Sequence, residues 1–156
     1  MTTTTAEDLV RAAYRTAEGD VRDVQGFIDL FAEDGVFNDL VNGASYRGEH
    51  LGDPVGYMAH LFPDIHRELH RVHVTGNVVA IELSIRGTFL GAFETPAGVV
   101  QPTGAKVDIP TADFWYIEDG KIKEFNCYIG ASVMLAQMGV LPDFAAAVAS
   151  PAAPAN

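Results

Sequence analysis

Cysteine is almost missing from this chain: Cys127 is the single one in 156 residues, so no internal disulfide can form and no metal site can be built on cysteine pairs. A reducing, cytoplasmic setting is the expectation. Basic residues are scarce as well, with 10 Lys and Arg against 21 Asp and Glu and a formal net charge of −11. That charge repels phosphate backbones and anionic lipid surfaces, so neither nucleic acid nor a membrane is an expected partner. No apolar run approaches the roughly 20 residues a membrane span needs. The polar start, Met1 to Thr5, lacks the basic stretch and apolar run of a secretory signal.

What is present fits one globular domain. Apolar residues make up 48% and charged residues 20%, too apolar for a disordered chain. A chain of this length buries roughly 70% of its unfolded surface, enough for a core that encloses a cavity. Residues 1–5 read as a disordered N-terminus, 6–142 as the domain, and 143–156 as a tail.

Leu9, Val10, Ala13 and Ala17 repeat with helical spacing between Ala6 and Gly19, with Thr5 as N-cap and Glu7 and Asp8 in the first turn. After Gly19-Asp20, the spacing of Val24, Phe27, Ile28, Phe31 and Ala32 predicts a second helix ending near Ala32, and Pro54 to Phe62 a third. Val36 to Leu40 reads as a short strand, followed by a turn at Asn42-Gly43. Four longer β-rich runs follow, His70–Val74, Val78–Phe93, Val107–Ile117 and Lys121–Ile129, and they predict a sequential antiparallel sheet. Val79, Ile81, Leu83 and Ile85 alternate with Ala80, Glu82, Ser84 and Arg86, so one face of that sheet is buried. Gly87 and Gly91 mark a bend that curls it. Ala131 to Met138 closes the fold as a short helix, and Ala145 to Asn156 reads as a frayed end.

Two acids stand out. Period two places Asp39 with Phe37 on one face of the first strand, and Asp113 with Trp115 and Ile117 on one face of a later strand. A carboxylate on an apolar face is desolvated, which raises its pKa and suits it to proton transfer. If both acids line one cavity, their surroundings can split their pKa values, leaving one as base and the other as a protonated donor. The plainer readings are that Asp39 hydrogen-bonds the turn after it and that Asp113 is solvated. Five histidines crowd one third of the chain, and His66 and His70 stand four apart. Without an acid directly after the first histidine, as the helical zinc motif has, that spacing supports no metal. His66 or His73 is better read as a single pocket histidine. Tyr14, Tyr46, Tyr57, Tyr116 and Tyr128 offer hydroxyls for an oxyanion. Cys127 has no basic neighbour and reads as inert.

The order of several motifs resembles the nuclear transport factor 2-like superfamily, in its ketosteroid isomerase and SnoaL-like polyketide cyclase branch. They are Leu30 to Asp39, Tyr46-Arg47-Gly48, Phe62-Pro63-Asp64, Gly87 to Gly91, Pro102-Thr103-Gly104, Asp119 to Ile122 and Gln137 to Pro142. The resemblance spans residues 6 to 142 and implies an α+β cone, in which a strongly curved mixed or antiparallel sheet packs on three N-terminal helices, commonly as a homodimer. It places Asp39 at the general-base position of the isomerases, Asp113 at or beside the acid that meets the substrate oxyanion, and Tyr14 near their helix-one tyrosine. Two departures matter. Many relatives end the last strand in an aspartate where this chain has Gly130, with Cys127 at another site that is often acidic, and Phe89 replaces the cyclases' histidine.

The expectation is a cofactor-independent isomerase, cyclase or lyase that removes a proton next to a carbonyl of a hydrophobic polycyclic or polyketide-like molecule. Asp39, Asp113, Tyr14 and His66 are its candidate catalytic residues, and Phe37, Tyr57, His73, Phe89, Trp115, Asn126 and Tyr128 its candidate substrate contacts. The rival is a binding or dimerisation module of the same fold with no chemistry.

Overall fold

The computed structural model describes residues 3–140 and 142–150. Helix α1 (Ala6–Ala17) starts on a reciprocal cap: Thr5 Oγ1 accepts from the Asp8 amide and the Asp8 carboxylate accepts from the Thr5 amide, both at 3.1 Å. Thr5 therefore belongs to the folded helix start. Helix α2 (Val24–Asp29), capped by Asp23, ends sooner than its periodicity predicts. Its expected last turn is instead the start of strand β1 (Phe31–Asp39). Phe31 and Ala32 satisfy a helical spacing, but Phe31 pairs with Ile122 across the sheet, and backbone pairing overrides a weak local preference.

Strand β2 (Ala44–Arg47) turns back on β1, a short 3₁₀ turn (Gly48–Gly52) follows, and helix α3 (Asp53–Leu61) carries Pro54 in its first turn. Strand β3 (His66–Thr75) begins four residues before the predicted run, and its pairing with β4 (Val78–Thr88) slips between Leu69 and Arg71. That bulge moves the partly buried positions from Arg67 and Leu69 to Val72, while Val74 on the same face is exposed.

The predicted run to Phe93 breaks at Thr88. There the chain leaves the sheet, and the Leu90 and Gly91 amides both donate to the Leu61 carbonyl, at 3.0 and 3.2 Å. A Cβ on Gly91 would strike the His60 carbonyl, so only glycine permits this approach. A small hairpin, β5 (Phe93–Thr95) and β6 (Gly98–Val100), leads to the long β7 (Lys106–Glu118) and β8 (Lys121–Ile129). Helix α4 (Ala131–Gln137) follows, then α5 (Phe144–Ala149), whose side chains are exposed. The frayed end expected from Ala145 is thus helical to Ala149, because Asp143 caps it through the Ala146 amide at 2.9 Å; residues 151–156 lie outside the described residues.

The main sheet runs β2-β1-β8-β7-β4-β3. Its β8-β7-β4-β3 part is sequential and antiparallel, as the β-rich runs predict. Strand β1 then joins β8 in parallel, which makes the sheet mixed. The sheet does not close. It curves around α1, α2 and α3 as a cone, and its inner face is apolar, with Val79, Ile81, Leu83 and Ile85 buried as their alternation predicts. Among the described residues, no helix is long and apolar enough to cross a membrane.

Candidate active site

Register brings the two acids into one row. Asp39 on β1 pairs with Cys127 on β8, and Cys127 pairs with Asp113 on β7, so the acids flank the thiol on one face, roughly 10 Å apart from strand spacing alone. The next row on that face is aromatic, with Phe37 opposite Phe125 and Phe125 opposite Trp115. The Trp115 and Phe125 rings stack at 3.6 Å, nearly parallel, and Phe37 meets Phe125 edge-on at 4.4 Å. Above these rows lies a cavity of about 440 Å³. It is bounded by α1 through Ala13, Tyr14 and Ala17, by α3 through Tyr57 and Met58, and by Met134 and Leu135 of α4.

Asp113 is 3% exposed and stands at the end of a hydrogen-bond chain. Trp115 Nε1 donates to the Tyr14 hydroxyl at 3.0 Å, and that hydroxyl donates to Asp113 Oδ2 at 2.7 Å. Tyr14 makes the second bond from the buried side of α1, which packs on β4 and β3. Burial raises the Asp113 carboxyl to about 6, while the Tyr14 hydroxyl, the neighbouring Cys127 thiol and the Arg67 guanidinium draw it partway back. Oδ1 is buried and meets no hydrogen-bond partner among the described residues. Burial, reinforced by the Asp113 charge, pushes Tyr14 and Cys127 well above their ordinary values, so neither is ionised near neutral pH. Cys127 faces the cavity as a neutral thiol.

Asp39 lines the same cavity at its rim and is half-buried. Its Oδ1 accepts from the Asn42 amide at 3.3 Å and its Oδ2 from Asn42 Nδ2 at 2.8 Å. Both readings of Asp39 thus describe it: it holds the turn and faces the cavity. The enclosed acid is Asp113.

The structure brings Tyr14, Asp39, Asp113, Phe37, Tyr57 and Trp115 together around this cavity, and it leaves five candidates outside it. His66 lies on the exposed side of β3 between Glu18 at 3.2 Å and Glu68 at 2.8 Å, and the Glu68 contact chiefly raises its pKa. His73 is also exposed, beside Glu82. Because residues 66–75 form a strand, His66 and His70 are about 13 Å apart rather than one helical turn. Phe89 is fully buried but packs on Phe62, under the cavity wall. Asn126 and Tyr128 fall on the outer face because strand alternation turns Cys127 inward: Asn126 bonds Asn38 and Glu124, and Tyr128 packs edge-on against Phe114.

Several cavity residues escaped the sequence reading, among them Phe125 and Arg67. Phe125 shares the parity of Cys127, and taking Cys127 as inward would have found it. Arg67 was outside the predicted strand; the jump from Arg67 and Leu69 to Val72 and Val74 was its signal. Gly130 leaves no room for the missing acid: its amide donates to the Pro110 carbonyl at 2.9 Å, and a Cβ there would overlap that oxygen.

An open curved sheet and a helix layer around an apolar chamber define a cone-shaped α+β domain. The chain matches the SnoaL-like domain family over residues 10–125 and belongs to it. A protein of ketosteroid isomerase-like fold from Catenulispora acidiphila DSM 44928, solved with trimethylamine, is 23% identical with a TM-score of 0.71, over 88% of this chain and 96% of that one. IdmH, a proposed polyketide cyclase from Streptomyces antibioticus, is 24% identical with a TM-score of 0.70, over 87% and 99%. A proposed SnoaL-like polyketide cyclase from Jannaschia sp. CCS1 is 16% identical with a TM-score of 0.75, over 88% and 93%. At these identities the likeness is one of fold. No curated protein shows significant similarity to the chain.

Proposed function

We propose that this chain is a cofactor-independent enzyme that moves a proton next to a carbonyl of a hydrophobic small molecule, in an isomerisation, cyclisation or elimination. One observation carries the reading: a fully enclosed carboxylate, raised to about 6 by burial, lines an apolar cavity with one oxygen unpartnered. A base poised near neutral pH balances its ionised fraction against its proton affinity.

Asp113 Oδ1 takes the proton, since Oδ2 is held by Tyr14. This moves the base role that the family resemblance gives Asp39 to Asp113, because Asp39 has both oxygens on Asn42. Once Asp113 is protonated, the Tyr14 hydroxyl is released from a carboxylate and can turn its proton to the enolate oxygen. Trp115, Phe125 and Phe37 hold the apolar body of the substrate, and Tyr57 stands at the entrance. A homodimer through the outer sheet face belongs to the same proposal. The exposed aromatics Phe114, Tyr116 and Tyr128 on that face support it, and sedimentation at several concentrations tests it.

The test is turnover of β,γ-unsaturated ketones and polyketide-type diketones by the wild type and Asp113→Asn. Loss of about 10²- to 10⁴-fold in kcat is expected. Equal turnover by the two proteins removes the base. The second reading, a binding module without chemistry, draws on Gly130, which cannot carry the acid found in many relatives. Ligand binding by the wild type without turnover of any compound would favour it.

A further inference from the structure

Among the described residues Arg67 is the one cationic side chain that lines the chamber, and the proton transfer above does not use it. Its Nη1 donates to the carbonyl of Ala17, the last residue of α1, at 2.8 Å, where the helix dipole favours a cation. Among the described residues this is the one hydrogen bond the guanidinium makes, and no carboxylate pairs with it. Glu18 turns its carboxylate to the Arg67 backbone amide and the His66 ring instead. Asp113 lies within the field of Arg67 but takes its hydrogen bond from Tyr14.

A guanidinium has five N–H donors, and its planar fork matches a carboxylate. The charges of Glu18 and Asp113 reach the guanidinium, but neither carboxylate hydrogen-bonds it, so in these part-buried surroundings it keeps open donors that a bound anion would satisfy. The apolar part of the lining includes Ile85, Trp115, Phe125 and Ile129. We propose that the ligand of this cavity is a hydrophobic carboxylic acid whose carboxylate is held by Arg67 and whose apolar body lies against Trp115 and Phe125. This rests on the reading of the cavity as a small-molecule site. Asp113 lies within the field of Arg67, so a ligand held by its carboxylate on Arg67 has its adjoining atoms beside Asp113.

Trp115 is the single tryptophan of the chain and lines the cavity, so its emission reports occupancy. The probes are octanoate and octanamide, which share an apolar chain and differ in charge. The wild type is expected to bind octanoate about tenfold or more tightly than octanamide, the difference a charge-assisted hydrogen bond makes. Arg67→Met is expected to lose that preference and keep octanamide binding. Arg67→Lys keeps part of the preference, and Asp113→Asn keeps all of it while losing turnover. Equal affinity of the wild type for both probes, or a preference that survives in Arg67→Met, overturns the role of Arg67 and leaves the cavity reading standing. Equal loss of both probes in Arg67→Met and Arg67→Lys also overturns it, in favour of a purely structural arginine. If neither probe perturbs Trp115 in the wild type, the cavity reading fails and the carboxylate site with it.

Discussion

The Tyr14 hydroxyl and Asp113 Oδ2 meet at 2.7 Å although 99 positions separate them in the chain. This bond favours the ionised carboxylate and opposes the burial that raises it to about 6. Tyr14→Phe removes the opposing effect, so the Asp113 pKa moves further up. Because the base must be ionised, kcat/KM of the wild type rises with pH through about 6, and in Tyr14→Phe that rise shifts to higher pH. The variant also strands Trp115 Nε1 and Asp113 Oδ2, at about 1–3 kcal/mol of stability. A pH–rate profile and a denaturant titration check the two parts, and an unmoved profile argues against Asp113 as the base.

Asp113→Asn should lose turnover and gain stability above neutral pH. The folded-state value of about 6 lies above the ordinary 3.8, so the folded protein holds this proton more tightly than the unfolded chain does. The resulting stabilisation is fully present below 3.8 and is lost as pH rises through about 6. At pH 8 the wild type then carries a buried charge at a cost on the order of 3 kcal/mol, which the neutral amide avoids. Thermal melts should show the variant ahead at high pH and the gap closing as pH falls. A gap independent of pH would mean that Asp113 does not titrate in this range.

Asp39→Asn separates the two acids. With Asp39 placed at the rim on Asn42, this variant should keep kcat within about tenfold of wild type and change KM more, whereas Asp113→Asn loses about 10²- to 10⁴-fold. Steady-state kinetics on one substrate decide the matter. If the larger loss in kcat falls on Asp39, the base belongs there.

Gly130→Asp restores the acid seen at the end of the last strand in many relatives, and it should harm this protein. The new Cβ would overlap the Pro110 carbonyl, and forced displacement of packed backbone costs about 1–3 kcal/mol. A lower melting temperature without gained activity is expected. Improved turnover would show that the terminal acid can still serve this site.

Much of the site was legible wherever one strand carries its own pattern. Asp113 with Trp115, and Phe37 with Asp39, follow from alternation within a single strand, and both pairs reach the cavity. His66, His73, Asn126 and Tyr128 failed for a related reason. Alternation says which residues share a face but not which face is inside, and with Cys127 inward, Asn126 and Tyr128 had to point out. Arg67 was hidden by the bulge after Leu69, which reverses parity within β3.

The sequence by itself determined the first helix, the long strands, the apolar face of the sheet and the acidic character of the chain, because these depend on local periodicity and on composition. Tertiary structure decided that β1 lies parallel to β8, that Asp39, Cys127 and Asp113 share a row, and that Arg67 reaches the chamber. Those facts come from pairings between distant segments. The pKa of Asp113 comes from the water those pairings exclude, which no local pattern of residues encodes.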